Sequence, residues 1–222
     1  MVSVTTAPVS KLTTTYSAPM RLWHWANWLL VSAQLLTILF QRVIVKAKTA
    51  VPEYQAILSR EGISLTEKQA RSLTRVISER IWEWHVYLGL ALAGLWLLRL
   101  LLELREPAPR RFGPRLVAAL RRYRLAPPAR GENAGRNMFS LLTYAAFYLL
   151  LTVMVLTGLG LTYHHDFAWL DRIEHDLEEI HNVTMYLILA FFAVHLVGVI
   201  WTELTSDRGL VSRMISGGRE QE

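Results

Sequence analysis

The sequence predicts an all-α fold, a transmembrane four-helix bundle, from its hydropathy and the distribution of its apolar residues. Hydrophobic residues make up 52% of the 222-residue chain, and the mean hydropathy is +0.25. They gather into four blocks, each close to the roughly 20 residues that a helix needs to cross a bilayer. The predicted spans cover about 22–45, 81–103, 138–162 and 180–203. A β-barrel is not expected, because its short strands would alternate polar and apolar residues.

Composition narrows the possible functions further. The chain contains no cysteine, which excludes disulfides, zinc–thiolate sites, iron–sulfur ligation and covalent haem attachment through cysteine. The net charge of +6 is interpreted as basic loops that set membrane topology rather than as a nucleic-acid surface.

The first span follows a polar segment, residues 1–19, and begins with the sequence RLWHWANW. Its tryptophans are typical of a membrane–water interface, and His24 lies among them. The connection 41–80 comes next, where Ser64 and Glu67 fit a capping box. We expect an amphipathic helix from about Leu65 that runs almost directly into the second span. Its apolar positions at helical spacing are Ala70, Leu73 and Ile77.

The second span carries His85 about one turn inside the membrane, whereas the third span has no histidine and is interpreted as a packing helix. Between them, the connection 103–137 contains nine Arg and three acidic residues, with a short surface helix expected over 115–124. The connection 162–180 contains one Arg and six acidic residues.

The fourth span carries two histidines, His181 and His195, fourteen residues apart. At 3.6 residues per turn, this spacing is just under four turns, so both rings leave nearly the same helix face, roughly 21 Å apart along the axis. Ionisable groups at membrane depth are costly and are usually functional.

The basic loops predict the orientation of the bundle. We place both termini and the Arg-rich 103–137 connection in the cytoplasm, with a polar tail over 206–222 and the membrane domain over 20–205. His85 and His181 then lie near the outer face, while His24 and His195 lie towards the cytoplasm. Each pair joins two helices at one depth, an arrangement suited to axial ligation of a haem iron.

The dihaem site has two alternatives. The histidines are also compatible with a proton relay in a haem-free transporter. A zinc or copper site made of histidines alone would need three or four ligands at one depth, which these positions do not offer.

The motifs RLWHW, EWHVYLG and HNVTMYLILAFFAVHLVG resemble the bacterial cytochrome b561 family, within a wider group that includes the cytochrome b subunits of nickel–iron hydrogenases and formate dehydrogenases. The resemblance covers all four spans. It implies a bundle that holds two b haems and exchanges electrons with quinone. By position, it assigns the haem ligands as His24, His85, His181 and His195. The first loop is longer than in compact family members, so a partner protein is expected to cover the outer haem.

We therefore expect a quinone-linked dihaem cytochrome b in the bacterial cytoplasmic (inner) membrane. The alternative is a haem-bearing anchor subunit of a larger oxidoreductase complex. The expected partners are the lipid bilayer, quinone or quinol, and a redox protein on the outer face, but no nucleic acid. Anionic haem propionates need cationic donors near the interfaces. The residues predicted for this role are Arg21, Arg80 and Arg99.

Overall fold

A computed structural model describes residues 18–108, 111–125, 131–205 and 209–217. Within these residues the chain is helical and contains no strand, which confirms the all-α class. The helices are α1 (Ala18–Leu39), α2 (Ala47–Arg60), α3 (Glu67–Arg105), α4 (Phe112–Leu125), α5 (Gly131–Thr162), α6 (Ala168–Arg172), α7 (Glu174–Thr205) and α8 (Leu210–Ser216). A π-helical segment, Phe40–Ile44, extends α1. Most of the predicted N-terminal segment 1–19 lies outside the described residues.

Four helical segments are long and apolar enough to cross a membrane, as the sequence predicts. They are Ala18–Ile44, Glu67–Arg105, Leu141–Thr162 and Glu174–Thr205. Their apolar side chains remain largely exposed, which in a membrane protein is the surface that contacts lipid.

The chain divides into two compact units, described separately here. The larger, residues 27–192, has a core of five buried residues contributed by α1, α3, α5 and α7. These residues are Val31, Leu92, Leu151, Val155 and Ile188. Beside them, the Trp96 indole donates to Thr152 Oγ1 at 3.0 Å, joining α3 to α5 by a polar contact within an apolar region.

The smaller unit comprises the described residues of 1–26 and 193–222. The Glu203 carboxylate accepts hydrogen bonds from the backbone N–H groups of Gly209 (2.7 Å) and Val211 (3.1 Å), so it satisfies donors that helix α8 leaves unpaired. The Trp25 indole donates to the Met214 carbonyl at 3.1 Å. The sequence analysis anticipated only a polar tail here and did not foresee α8.

The first connection is more ordered than the sequence suggested. Helix α3 does run without a break into the second span, but its N-cap is Thr66 rather than Ser64. Thr66 Oγ1 accepts from Gln69 N at 3.3 Å, and Gln69 Oε1 accepts from Thr66 N at 2.9 Å. The predicted box was therefore two residues too early, because Thr66 to Gln69 fits the same pattern and is reciprocally bonded.

Helix α2 was not predicted, and it packs against the beginning of α3. Ala50 on α2 and Ala70 and Thr74 on α3 are buried. Leu73 and Ile77 remain about half exposed, so only part of the predicted apolar stripe is covered.

The last connection is also largely helical. It contains a 3₁₀ turn, His164–Asp166, followed by α6. Helix α7 begins at Glu174, earlier than the expected span start at residue 180. Its first turn contains Glu174 and Asp176, whose negative charges are favourable at a helix N-terminus.

Candidate functional site

Two pairs of histidine rings face each other, and each pair joins two different helices. In the larger unit, His85 on α3 and His181 on α7 have ring centroids 6.4 Å apart, with ring planes at 73°. In the smaller unit, His24 on α1 and His195 on α7 have centroids 6.3 Å apart, with planes at 60°. The structure thus brings together the same partners that the sequence analysis grouped by depth.

These separations can be compared with the spacing that a shared metal ion requires. Two imidazoles binding one ion from opposite sides, with bonds of about 2 Å and about 1.1 Å from nitrogen to ring centre, have centroids about 6 Å apart. The observed 6.4 and 6.3 Å match this spacing. A direct hydrogen bond between the rings would bring the nitrogens within about 3 Å and the centroids closer together. Both pairs therefore fit an iron held between two axial imidazoles.

A buried threonine orients each ring of the His85–His181 pair. Thr37 Oγ1 lies 2.7 Å from His85 Nδ1, and Thr157 Oγ1 lies 2.9 Å from His181 Nδ1. Each hydroxyl donates its own proton to a backbone carbonyl, that of Gln34 at 2.6 Å and that of Val153 at 2.7 Å. A hydroxyl that donates to its carbonyl accepts from the ring, an arrangement in which Nδ1 carries the proton and Nε2 keeps its lone pair.

A glycine gives the His181 ring space on its α5 side. A Cβ added at Gly158 would lie 3.2 Å from His181 Cε1, closer than ordinary van der Waals contact. On the opposite side of the pair, the Gln34 amide donates to the His85 backbone carbonyl at 2.9 Å and lies against Gly89. These contacts pack α5 against α7 at His181 and α1 against α3 at His85.

The His24–His195 pair lies beside an interfacial tryptophan. The Trp25 ring meets the His24 ring edge-to-face, with centroids 5.4 Å apart. Because the Trp25 indole also donates to Met214, this ring is held between the start of α1 and helix α8.

The three arginines predicted to contact propionates lie in different environments. Arg80 forms an exposed ion pair with Glu83 at 2.8 Å. Arg99 donates to the Tyr148 hydroxyl at 2.9 Å and pairs with Glu103 at 3.3 Å. Arg21 is partly buried and lies against Gly217.

Arg42, in the π-helical segment, was not among the predicted site residues. Its guanidinium donates to the Asn182 side chain at 3.0 Å and to the Tyr186 hydroxyl. Asn182 directly follows His181, so these bonds connect Arg42 to the helix that carries one ring of the pair. Nothing in the sequence distinguishes Arg42 from the seven other basic residues of the first connection.

The fold and the site define a class: a multi-pass helical membrane protein in which pairs of imidazoles face each other between helices. A family model described as prokaryotic cytochrome b561 matches residues 15–217, and the chain belongs to this family. It is therefore a membrane b-type cytochrome of electron transfer, and its family implies haem b. No curated protein and no solved structure matches the chain.

Proposed function

We propose that this cytochrome holds two b haems and transfers electrons across the bilayer, to or from the quinone pool. His85 and His181 are the ligands of one haem, and His24 and His195 those of the other. The observation that carries the proposal is the spacing of the two ring pairs, 6.4 and 6.3 Å, since it suits one iron between each pair.

The site residues account for this role without substrate chemistry. Haem b, when bound, supplies a one-electron ferric/ferrous couple. Two imidazoles would hold each iron and would leave it no position for oxygen or a substrate. Thr37 and Thr157 contact Nδ1 of His85 and His181, the kind of outer contact that metal-bound histidines usually make, and a proton held on Nδ1 leaves Nε2 as the ligand atom.

Arg42 is the cation best placed to meet a propionate at the His85–His181 pair. Its exposed guanidinium is fixed by Asn182 and Tyr186, so little side-chain entropy is lost when it binds an anion. Arg21 precedes His24 by three residues on α1 and is the cation that we assign to the other pair. Arg80 and Arg99 are already committed to acidic partners on α3, which weakens their case.

We also propose that the protein lies in the bacterial inner membrane with both termini in the cytoplasm. The Arg-rich connection between α3 and α5 supports this orientation. Cysteine-scanning accessibility in whole cells tests it. Residues introduced in α8 should be protected from membrane-impermeant reagents, whereas those introduced in α2 should react.

Reconstitution tests the transport function. Proteoliposomes are loaded with ferricyanide, a quinol is added to the bilayer, and reduction of the trapped oxidant is followed optically. Wild-type protein should reduce it, and His85→Ala and His195→Ala should each stop the transfer, because each removes one ligand pair. Undiminished transfer in either variant would contradict a path that uses both haems.

One observation favours a second candidate function, that of a haem-bearing anchor in a larger oxidoreductase complex. Helix α3 begins well before the expected span at 81, and its leading part exposes Leu73, Val76 and Ile77. Exposed apolar residues outside the membrane are typical of a surface covered by another protein. Mild solubilisation of native membranes should then yield a larger complex, which Val76→Glu should dissociate without loss of haem.

A further inference from the structure

We propose a divalent transition-metal site, of the kind that binds Zn²⁺, between the end of α5 and the start of α7. Its ligands are the imidazoles of His164 and His165 and the carboxylates of Asp171 and Glu174. One ligand atom from each of His164, His165 and Asp171 lies within 4.8 Å of the others. This site is separate from the ring pairs of the proposed haem centres.

The strongest observation is the way in which His164 is held. Its Nδ1 lies 2.8 Å from the Leu161 carbonyl oxygen, which can only accept, so Nδ1 carries a proton. Its Nε2 lies 3.3 Å from Glu174 Oε1. A histidine whose other nitrogen donates to a backbone carbonyl is typical of metal ligands, because that bond fixes the tautomer and the ring direction.

The contact between His164 Nε2 and the Glu174 carboxylate suits a bound cation. Both present lone pairs, so their contact is favourable only when a proton or a metal ion lies between them. His165 repeats the arrangement, with Nδ1 3.8 Å from Asp171 Oδ1. The two rings have centroids only 3.8 Å apart. One ion bound by both imidazoles would have ring centroids about 5 Å apart, so the exposed His165 side chain must turn away from His164 to bind it.

The distances also suit a small ion. In tetrahedral zinc sites with bonds of about 2.0–2.1 Å, neighbouring ligand atoms lie about 3.3 Å apart. The contact between His164 and Glu174 already has this length, and the remaining ligand atoms need shifts of about an ångström. His165 and Asp171 have exposed side chains, 84% and 59%, so they are free to make these shifts.

The donor set identifies the class of ion. Two carboxylates neutralise a divalent charge, and two imidazoles select Zn²⁺, Cu²⁺ or Ni²⁺ over Mg²⁺ and Ca²⁺, which prefer oxygen ligands. When bound, the ion would join the 3₁₀ turn that follows α5 and helix α6 to the first turn of α7, the helix that carries His181.

Calorimetric titration of the haem-loaded, detergent-solubilised chain with ZnCl₂ tests the site. We expect one Zn²⁺ per chain, and at least about tenfold weaker binding in His165→Ala and in Asp171→Asn. Both changes are at exposed side chains, and an unchanged haem spectrum will show that the variants are folded. The matched control is His175→Ala, one residue beyond Glu174, which should bind Zn²⁺ as the wild type does.

Four results would overturn the proposal, and three of them concern binding itself. They are the absence of zinc binding, binding in His165→Ala as tight as in the wild type, and Ca²⁺ binding as tight as that of Zn²⁺. An equal loss of affinity in His175→Ala would also overturn it, because the ion would then be held by the general acidity of the segment.

Discussion

Replacing Thr157 by valine should weaken the haem centre at His181 while leaving the helix intact. Valine has the same shape but no hydroxyl, so the His181 Nδ1–H loses its acceptor at 2.9 Å. Thr157 is buried, with 6% of its surface exposed, and an unpaired buried donor costs about 1–3 kcal/mol. Because 1.4 kcal/mol is a factor of ten, this corresponds to roughly a 10–100-fold loss of haem affinity, the usual cost of removing such a partner.

The same change should raise the midpoint potential of that haem. A hydrogen bond donated from Nδ1 makes the imidazole more basic and favours the ferric iron. For a one-electron couple, a tenfold selective weakening of the ferric form raises the potential by about 59 mV. Haem titration of the apoprotein and spectroelectrochemistry of the loaded protein measure the two effects.

Two variants separate this role from simple helix stability. Thr157→Ser retains the hydroxyl and should restore affinity and potential. Thr162→Val on the same helix loses a comparable bond to the Gly158 carbonyl, 2.8 Å long, but is exposed, and should change neither. A wild-type potential and affinity in Thr157→Val, or equal shifts in Thr162→Val, would show that the Thr157 hydroxyl does not support His181 as a haem ligand.

Further predictions follow from the surroundings of the same pair. Gly158→Ala should weaken haem binding, because its Cβ would lie 3.2 Å from His181. Gly94→Ala should be neutral, since nothing lies within 4 Å of its added Cβ. Haem retention during gel filtration compares the two variants, and equal retention would contradict the close approach of Gly158 to His181. Arg42→Gln should lower the midpoint potential by about 20–60 mV, because a cation beside a haem favours the ferrous state. Arg80→Gln, at an exposed ion pair, should have no such effect, and identical redox titrations of the two variants would exclude Arg42 from the site.

The four spans and the facing histidines could be predicted because they depend on properties that the sequence carries directly. An apolar block of bilayer length has few alternatives to a membrane helix. The fourteen-residue spacing of His181 and His195 fixes which helix face the rings share. Their depths then suggested His85 as the partner of His181 and His24 as the partner of His195. The structure places the two rings of each pair close together.

The remaining features depend on contacts between distant residues. In the sequence, Thr37 and Thr157 are ordinary small polar residues within apolar helices. Only the structure shows that their hydroxyls contact His85 and His181. Helix α2 has little apolar character of its own and is buried only where small residues such as Ala50 meet α3. Two overlapping sequences fit the capping-box pattern, and only the hydrogen bonds of Thr66 distinguish them.

Haem analysis of single histidine variants shows whether His85 shares a haem with His181, and His24 with His195. Pyridine haemochrome assays and reduced-minus-oxidised spectra are recorded for the wild type and for each of the four variants, with histidine changed to alanine. We expect two haems per wild-type chain and one in each variant. His85→Ala and His181→Ala should lose the same spectral component, and His24→Ala and His195→Ala the other. One haem or none in the folded wild type, or the loss of one shared component in His24→Ala and His85→Ala, would contradict this pairing.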